Sequence, residues 1–205
     1  MTTTKGIAVV TQAMYHLISS VVHAGVPGAE VTMVPPEKQA GASSDTPRVN
    51  LYPIQVVQDP FLNRERLAPG EEGRPLAAGP TVALDLRYLV SFFGPSFAAQ
   101  TMLAAVELAF ARSPYLVEAL IGRAVQGTPD LHGSGLEDQQ PPVRFSRYPL
   151  TLEELSGFWS GFFESPYTLS VVYEASPVIL GGPTTAPAPH PTTEVGIGTR
   201  SATHI

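Results

Sequence analysis

Between residues 81 and 125 the chain reads TVALDLRYLVSFFGPSFAAQTMLAAVELAFARSPYLVEALIGRAV, an alternating run followed by two apolar helical runs. The even positions from Val82 to Phe92 are all apolar, whereas the odd ones include Asp85, Arg87 and Ser91. A period of two predicts a strand over 82–93 with one dry face. Gly94-Pro95 ends it, because proline lacks an N–H for the ladder and restricts the residue before it. From Phe97 to Arg112 the only polar residues are Gln100, Thr101, Glu107 and Arg112. This predicts a helix over 97–112 that is covered on more than one side. Ser113-Pro114 reads as an N-cap followed by proline at the first helical position, opening another helix over 114–125.

The same patterns place the other elements. Val10, Ala13, Met14, Leu17, Ile18, Val21 and Val22 follow helical spacing, with Gln12, His16, Ser19, Ser20 and His23 between them. They predict an amphipathic helix over 7–24 rather than a secretory signal. Short strands are expected at 30–34, 50–58, 143–148 and 168–174, and Pro53 puts the second of these at an edge or on a bulge. Thr151-Leu-Glu-Glu154 is a capping box, opening a helix to about Trp159 or Ser160 whose dry stripe is Leu152, Leu155, Phe158 and Trp159. Loops are expected at 37–47, 59–80 and 127–142. The fold class is therefore α/β, with a mixed sheet of four or five strands packed against helices 7–24, 97–112 and 114–125. It forms one domain over 1–176, followed by an extended Pro/Thr-rich arm over 177–205.

Composition narrows the function. A chain of 205 residues with 43% hydrophobic content can bury one core. Its net charge of −6, with no Lys/Arg cluster, argues against nucleic-acid binding. The absence of cysteine removes disulfides, thiol catalysis and thiolate metal sites. No apolar run approaches the ~20 residues of a bilayer span, so a soluble protein made in the cytoplasm is expected.

No motif carries convincing chemistry. His132-Gly-Ser134-Gly puts a serine beside a histidine, but Ser134 lacks the preceding strand of a nucleophile elbow and fits a flexible turn. His16 and His23 share a helix face with no carboxylate beside them, a poor metal set. Gly196-Ile-Gly198 lacks the third glycine and the strand of a dinucleotide site. Glu153 and Glu154 are accounted for by the capping box and the helix dipole. Asp85 and Arg87, on the wet side of the long strand, form either a solvated pair or a contact between subunits. No catalytic residue, metal or cofactor is expected.

Several segments, in this order along the chain, resemble a known family: VNLYPIQVVQDPFLNR (49–64), Arg74-Pro75, ALDLRYLVSFFG (83–94), AAQTMLAAVELAFARSPYL (98–116) and PLTLEELSGFWSGFFESPYTLSVVYEASPVIL (149–180). Together they resemble the N-terminal domain of the cap proteins of contractile injection systems, phage-tail-like particles with an inner tube inside a contractile sheath. The resemblance spans about residues 5 to 180. It departs at the loop 127–142, enlarged by HGSGLEDQQPP, and at the short C-terminal arm. What it implies is a non-catalytic, tail-terminator-like cap, assembled in the bacterial cytoplasm as a homohexameric ring on the inner tube and sheath. It leaves open whether the particle is released. The interface candidates are then Asp85 and Arg87 on the strand, Arg64 and Arg74 in the 59–80 connection, Val178, Ile179 and Leu180 at the root of the arm, and Val195 and Ile197 further along it. A tail-assembly chaperone or adaptor is the alternative of the same fold, and a Ser134-dependent hydrolase the enzymatic one.

Overall fold

A computed structural model describes residues 3–36, 46–62, 81–161 and 167–181. In chain order the elements are α1 (Gly6–Gly25), β1 (Glu30–Thr32), β2 (Arg48–Gln58), β3 (Thr81–Phe93), α2 (Ala98–Arg112), α3 (Glu118–Gln126), β4 (Arg144–Tyr148), α4 (Leu152–Ser160) and β5 (Ser170–Gly181). The five strands form one mixed sheet in the order β1-β2-β3-β5-β4. The β1–β2 pair is parallel and the others antiparallel. The α/β class and the mixed sheet are as expected.

Strand β3 is the spine, pairing with β2 over Leu84–Phe93 and with β5 over Thr81–Ser91. Leu84, Leu86, Tyr88, Val90 and Phe92 are buried on one face, where α1, α2 and α3 supply Met14, Ile18, Met102, Val106, Phe110, Leu120 and Ile121 to the same core. Tyr88 and Tyr173 stand opposite each other on β3 and β5. The Phe110 ring lies 4.3 Å from Tyr173. The odd positions are not simply wet. Leu89 is fully buried with Val172 and Trp159, the anchor of α4, in a second and smaller core.

Helix α1 is long and apolar enough, by length and composition, to cross a membrane, which the absence of a continuous apolar run did not lead one to expect. Its apolar side instead fills the main core, with Val9, Val10, Ala13, Met14, Ile18 and Val22 fully buried. It is the core helix predicted over 7–24.

Two boundaries and one buried face differ from the sequence pattern. The helix expected over 114–125 begins at Glu118, because 114–116 is used as sheet. Phe145 N–H donates to the Pro114 carbonyl, Leu116 N–H donates to that of Val143, and Tyr115 bridges Arg144. Strand β5 does not stop near Glu174 but runs to Gly181, since the first rungs of β3 need partners. Thr81, Val82, Ala83 and Leu84 pair with Gly181, Leu180, Ile179 and Val178. A register shift between Leu84 and Leu86 accommodates Pro177 opposite, as a bulge allows where proline cannot donate. In α4 the capping box forms as expected, but Leu152 is 77% exposed, so the dry stripe is carried by Trp159 with the half-buried Leu155 and Phe158. Pro53 behaves as anticipated: the β2–β3 register shifts between Pro53 and Gln55.

The buried tyrosines set the alkaline limit of the domain. Tyr88 shares a 2.8 Å hydrogen bond with Thr11 on α1. Burial pushes its hydroxyl pKa up to about 12, with the Thr11 bond pulling the other way. Burial, then the Glu107 carboxylate, raises Tyr173 as well. A pKa raised on folding means the neutral phenol is the folded form. Its contribution is complete below about pH 10 and lost as pH climbs through about 12. The expected outcome is a stability curve flat to about pH 10 that then falls by roughly 2–3 kcal/mol for Tyr88 alone. Urea titrations at stepped pH check it, and Tyr88→Phe should flatten the fall.

Candidate interaction surfaces

The candidate residues fall into three places. Asp85 and Arg87 lie on the face of β3 that also carries α4, but they are not each other's main partners. Arg87 belongs to a rung that crosses the sheet. Its Nε donates to Glu174 Oε2 on β5 at 2.9 Å and its Nη1 to Gln55 Oε1 on β2 at 2.7 Å. Its guanidinium sits 3.8 Å from the centre of the Tyr148 ring on β4. Asp85 accepts a hydrogen bond from Ser176. Burial raises its carboxyl above the ordinary range, the Ser176 bond partly offsets this, and Glu174 and Asp59 add to the rise against Arg87. Both side chains are thus held by cross-strand partners within this domain.

That arrangement has a testable consequence. Arg87→Ala leaves Glu174 without its cation and removes the guanidinium from Tyr148. It should cost the isolated domain about 1–3 kcal/mol, as loss of a partly buried, hydrogen-bonded charge does. A double-mutant cycle of Arg87→Ala and Glu174→Ala should show a coupling of about 0.5 kcal/mol or more. A coupling indistinguishable from zero would mean the pair is only solvated.

Val178 and Ile179 are buried in β5, and Leu180 packs against the main core. All three complete this chain's own sheet. Arg64, Arg74, Val195 and Ile197 lie outside the described residues, as do the Gly196-Ile-Gly198 segment, most of the loops expected at 37–47 and 59–80, and residues 182–205 of the expected arm.

The His132–Ser134 turn holds the N-terminus. Ser134 is buried, its carbonyl accepts from Thr3 N–H at 2.7 Å, and its Oγ faces the Leu136 N–H at 3.4 Å. The Lys5 ammonium donates to the His132 carbonyl at 3.0 Å. His16 Nε2 faces Gln12 Nε2 at 3.2 Å on its own helix. Among the described residues no three His, Asp or Glu side chains converge as a metal would need.

Two buried amides were not singled out by the sequence. Asn50, on β2, takes the Val34 N–H at 3.1 Å on Oδ1 and gives Nδ2 to the Val34 carbonyl at 2.9 Å. Its side chain thereby extends the pairing beyond the three residues of β1. Gln139, in the 127–142 loop, does the same for β5. An asparagine among β-formers was the available signal for the first; the loop composition gave none for the second. Arg48 is also buried, at 7% exposure. Its guanidinium stands 4.7 Å from the Phe93 ring, and burial lowers its pKa against the opposing pull of Glu30.

The outer side of α2 differs from expectation. Met102, Val106, Ala109 and Phe110 face the core, but the opposite side is open, with Ala104 and Ala111 exposed, Leu108 56% exposed and Phe97, just before the helix, 78% exposed. Among the described residues this apolar helix is covered on one side only.

The described residues thus form a mixed sheet under three helices, with polar rungs tied within the sheet and apolar side chains left on the outside of α2. The fold is shared with the PVC sheath/tube terminator of an extracellular contractile injection system in its extended state, at a TM-score of 0.55, 15% identity and 97% coverage of this chain. It is shared too with the anti-feeding prophage cap, a tube-terminating cap, at a TM-score of 0.51, 18% identity and 89% coverage. The chain belongs to the Pvc16 N-terminal domain family, which matches residues 9–194. It spans 65% and 59% of the length of those two terminators. No curated protein matches the sequence.

Proposed function

We propose that this chain is a structural cap that terminates the inner tube and sheath of a contractile injection system. The observation that carries the reading is the family match across 9–194, supported by a fold shared with two tube terminators. The cap assembles in the cytoplasm as a sixfold ring. A closed ring is built from head-to-tail contacts, so each subunit presents two different patches. The uncovered apolar side of α2, from Phe97 through Leu108, is one of them, because apolar surface of this kind on a lone domain marks a protein contact.

The cap works by binding alone. Ser134, buried and tied into the N-terminal contact, has no part in it, and Ser134→Ala should leave capping unchanged. Imaging of particles from a strain lacking the chain tests the proposal. Tubes and sheaths of uncontrolled length or reduced stability are expected, and normally capped particles would sink it. Sedimentation of the purified chain separates a ring-former from a monomeric assembly chaperone.

A further inference from the structure

The ring contact needs a second patch, and the sheet carries a helix on its other face that can supply one. Helices α1, α2 and α3 share the main core, whereas α4 packs through Trp159 against Leu89 and Val172 on the opposite face. α4 turns Leu155, Phe158 and Trp159 inward. Its outward residues are Glu153, Ser156, Gly157 and Ser160, all exposed, at the i, i+3, i+4, i+7 spacing of one helix face. That face is an acid followed by small residues. The Ser160 hydroxyl is spent on the Ser156 carbonyl of its own helix at 2.7 Å. Glycine weakens a helix interior, and an added Cβ at Gly157 would meet nothing within 4 Å. No described residue therefore calls for a glycine there, whereas the close approach of another helix does.

The C-terminal half of α2 has the matching form. Ala104, Leu108 and Ala111 lie on its open side, with Leu108 56% exposed between the two alanines. Arg112, exposed one turn beyond Leu108, enters no ion pair among the described residues, and neither does Glu153. In an antiparallel crossing, equal steps in opposite directions along the two helices bring residues together. Leu108 laid on Gly157 thus carries Arg112, four residues on, to Glu153, four residues back. The leucine enters the hollow left by Ser156, Gly157 and Ser160, and the two free charges meet.

We propose, in an inference that rests on the ring reading, that the open side of α2 in one copy docks antiparallel on the outer face of α4 in a second copy, with Leu108 over Gly157 and Arg112 against Glu153. Pairing of like surfaces fits less well. α2 against α2 leaves both Arg112 side chains without a carboxylate, and α4 against α4 sets glutamates side by side. Either would also be isologous and stop at a dimer. α2 on α4 is head-to-tail, so each contact leaves one α4 and one α2 free to continue the ring. The apolar contact, with Leu152 77% exposed beside Glu153, supplies the affinity, and the exposed ion pair fixes the register.

The test is sedimentation of the full chain. Wild type should self-associate. Leu108→Glu spoils the α2 patch and Gly157→Leu fills the α4 patch, and each alone should weaken association about tenfold or more. Mixed in equal amounts, the two variants should form a dimer, since the Gly157→Leu chain keeps an intact α2 and the Leu108→Glu chain an intact α4. Arg112→Glu should also weaken association, and adding Glu153→Arg in the same chain should restore it, because the reversed charges meet across copies. Unchanged urea midpoints check that folding is kept, and should either patch variant disturb it, the charge exchange decides alone. A monomeric wild type, variants that associate like wild type, a mixture that stays monomeric or a charge exchange without rescue overturns the proposal. Capping is judged apart: normally capped particles in the strain lacking the chain sink that reading, while the mixed dimer would still establish the contact.

Discussion

Replacing Gln139 by alanine is expected to lower the stability of the isolated domain by about 2–4 kcal/mol, a large share of the margin of a domain this size. The side chain is buried. Its Nε2 donates to the carbonyls of Pro141 at 2.9 Å and Pro177 at 2.8 Å, and its Oε1 accepts from Ile179 N–H at 2.8 Å. β4 last pairs with β5 at Arg144 opposite Ser176. Beyond that point the Gln139 amide takes the place of the next strand for Pro177 and Ile179. Truncation leaves those groups buried without it, which costs more than the net value of the bonds lost. Gln139→Glu separates hydrogen bonding from packing, because the isosteric carboxylate keeps the acceptor but sets negative oxygens against two carbonyls. It should be at least as harmful. Urea unfolding gives the energy, and faster exchange of the Ile179 amide gives the location. A loss under about 1 kcal/mol for both variants would show that the amide is not a strand surrogate.

Two leucines that look alike in the sequence should respond oppositely. Leu86, 1% exposed at the centre of β3 beneath the helices, is expected to cost about 2–5 kcal/mol on substitution by alanine, through lost burial and the cavity left behind. Leu152, at the first position of α4 and 77% exposed, should cost about 0.5 kcal/mol or less. Helical spacing alone puts Leu152 in the dry stripe of α4. Similar losses at both sites would mean that α4 lies closer to the sheet than described.

How far the chain was legible depends on the range of the interaction involved. Strand β3 and helix α1 were read from their periodicity, because a strand or helix with one buried face must repeat its apolar residues at its own period. The α4 capping box was read from four adjacent residues, because its reciprocal bonds, 2.8 Å from Thr151 N–H to Glu154 Oε2 and 3.2 Å from Glu154 N–H to Thr151 Oγ1, close within one turn. The ordered set of apolar segments also pointed to the family that residues 9–194 match.

What periodicity could not supply was the choice between two local structures that a distant segment decides. Ser113-Pro114 is a sound helix start, yet Pro114 and Leu116 bond to Phe145 and Val143, about thirty residues away, and the helix waits until Glu118. The alternation of the last strand reads only to Glu174, but β3 offers Thr81 to Leu84 as a template, and β5 continues to Gly181. Asp85 and Arg87 read as either a solvated pair or a contact between subunits, while their partners, Ser176 and Glu174, come from a strand about ninety residues on. Sequence by itself determined most of the elements and the fold class, because each rests on contacts within a turn or on a face that repeats, while the family was carried by the resemblance of the ordered segments. The tertiary structure alone decided where α3 starts, where β5 ends and which amides act as strands, because each of these is settled by main-chain donors and acceptors that meet only after the sheet has formed.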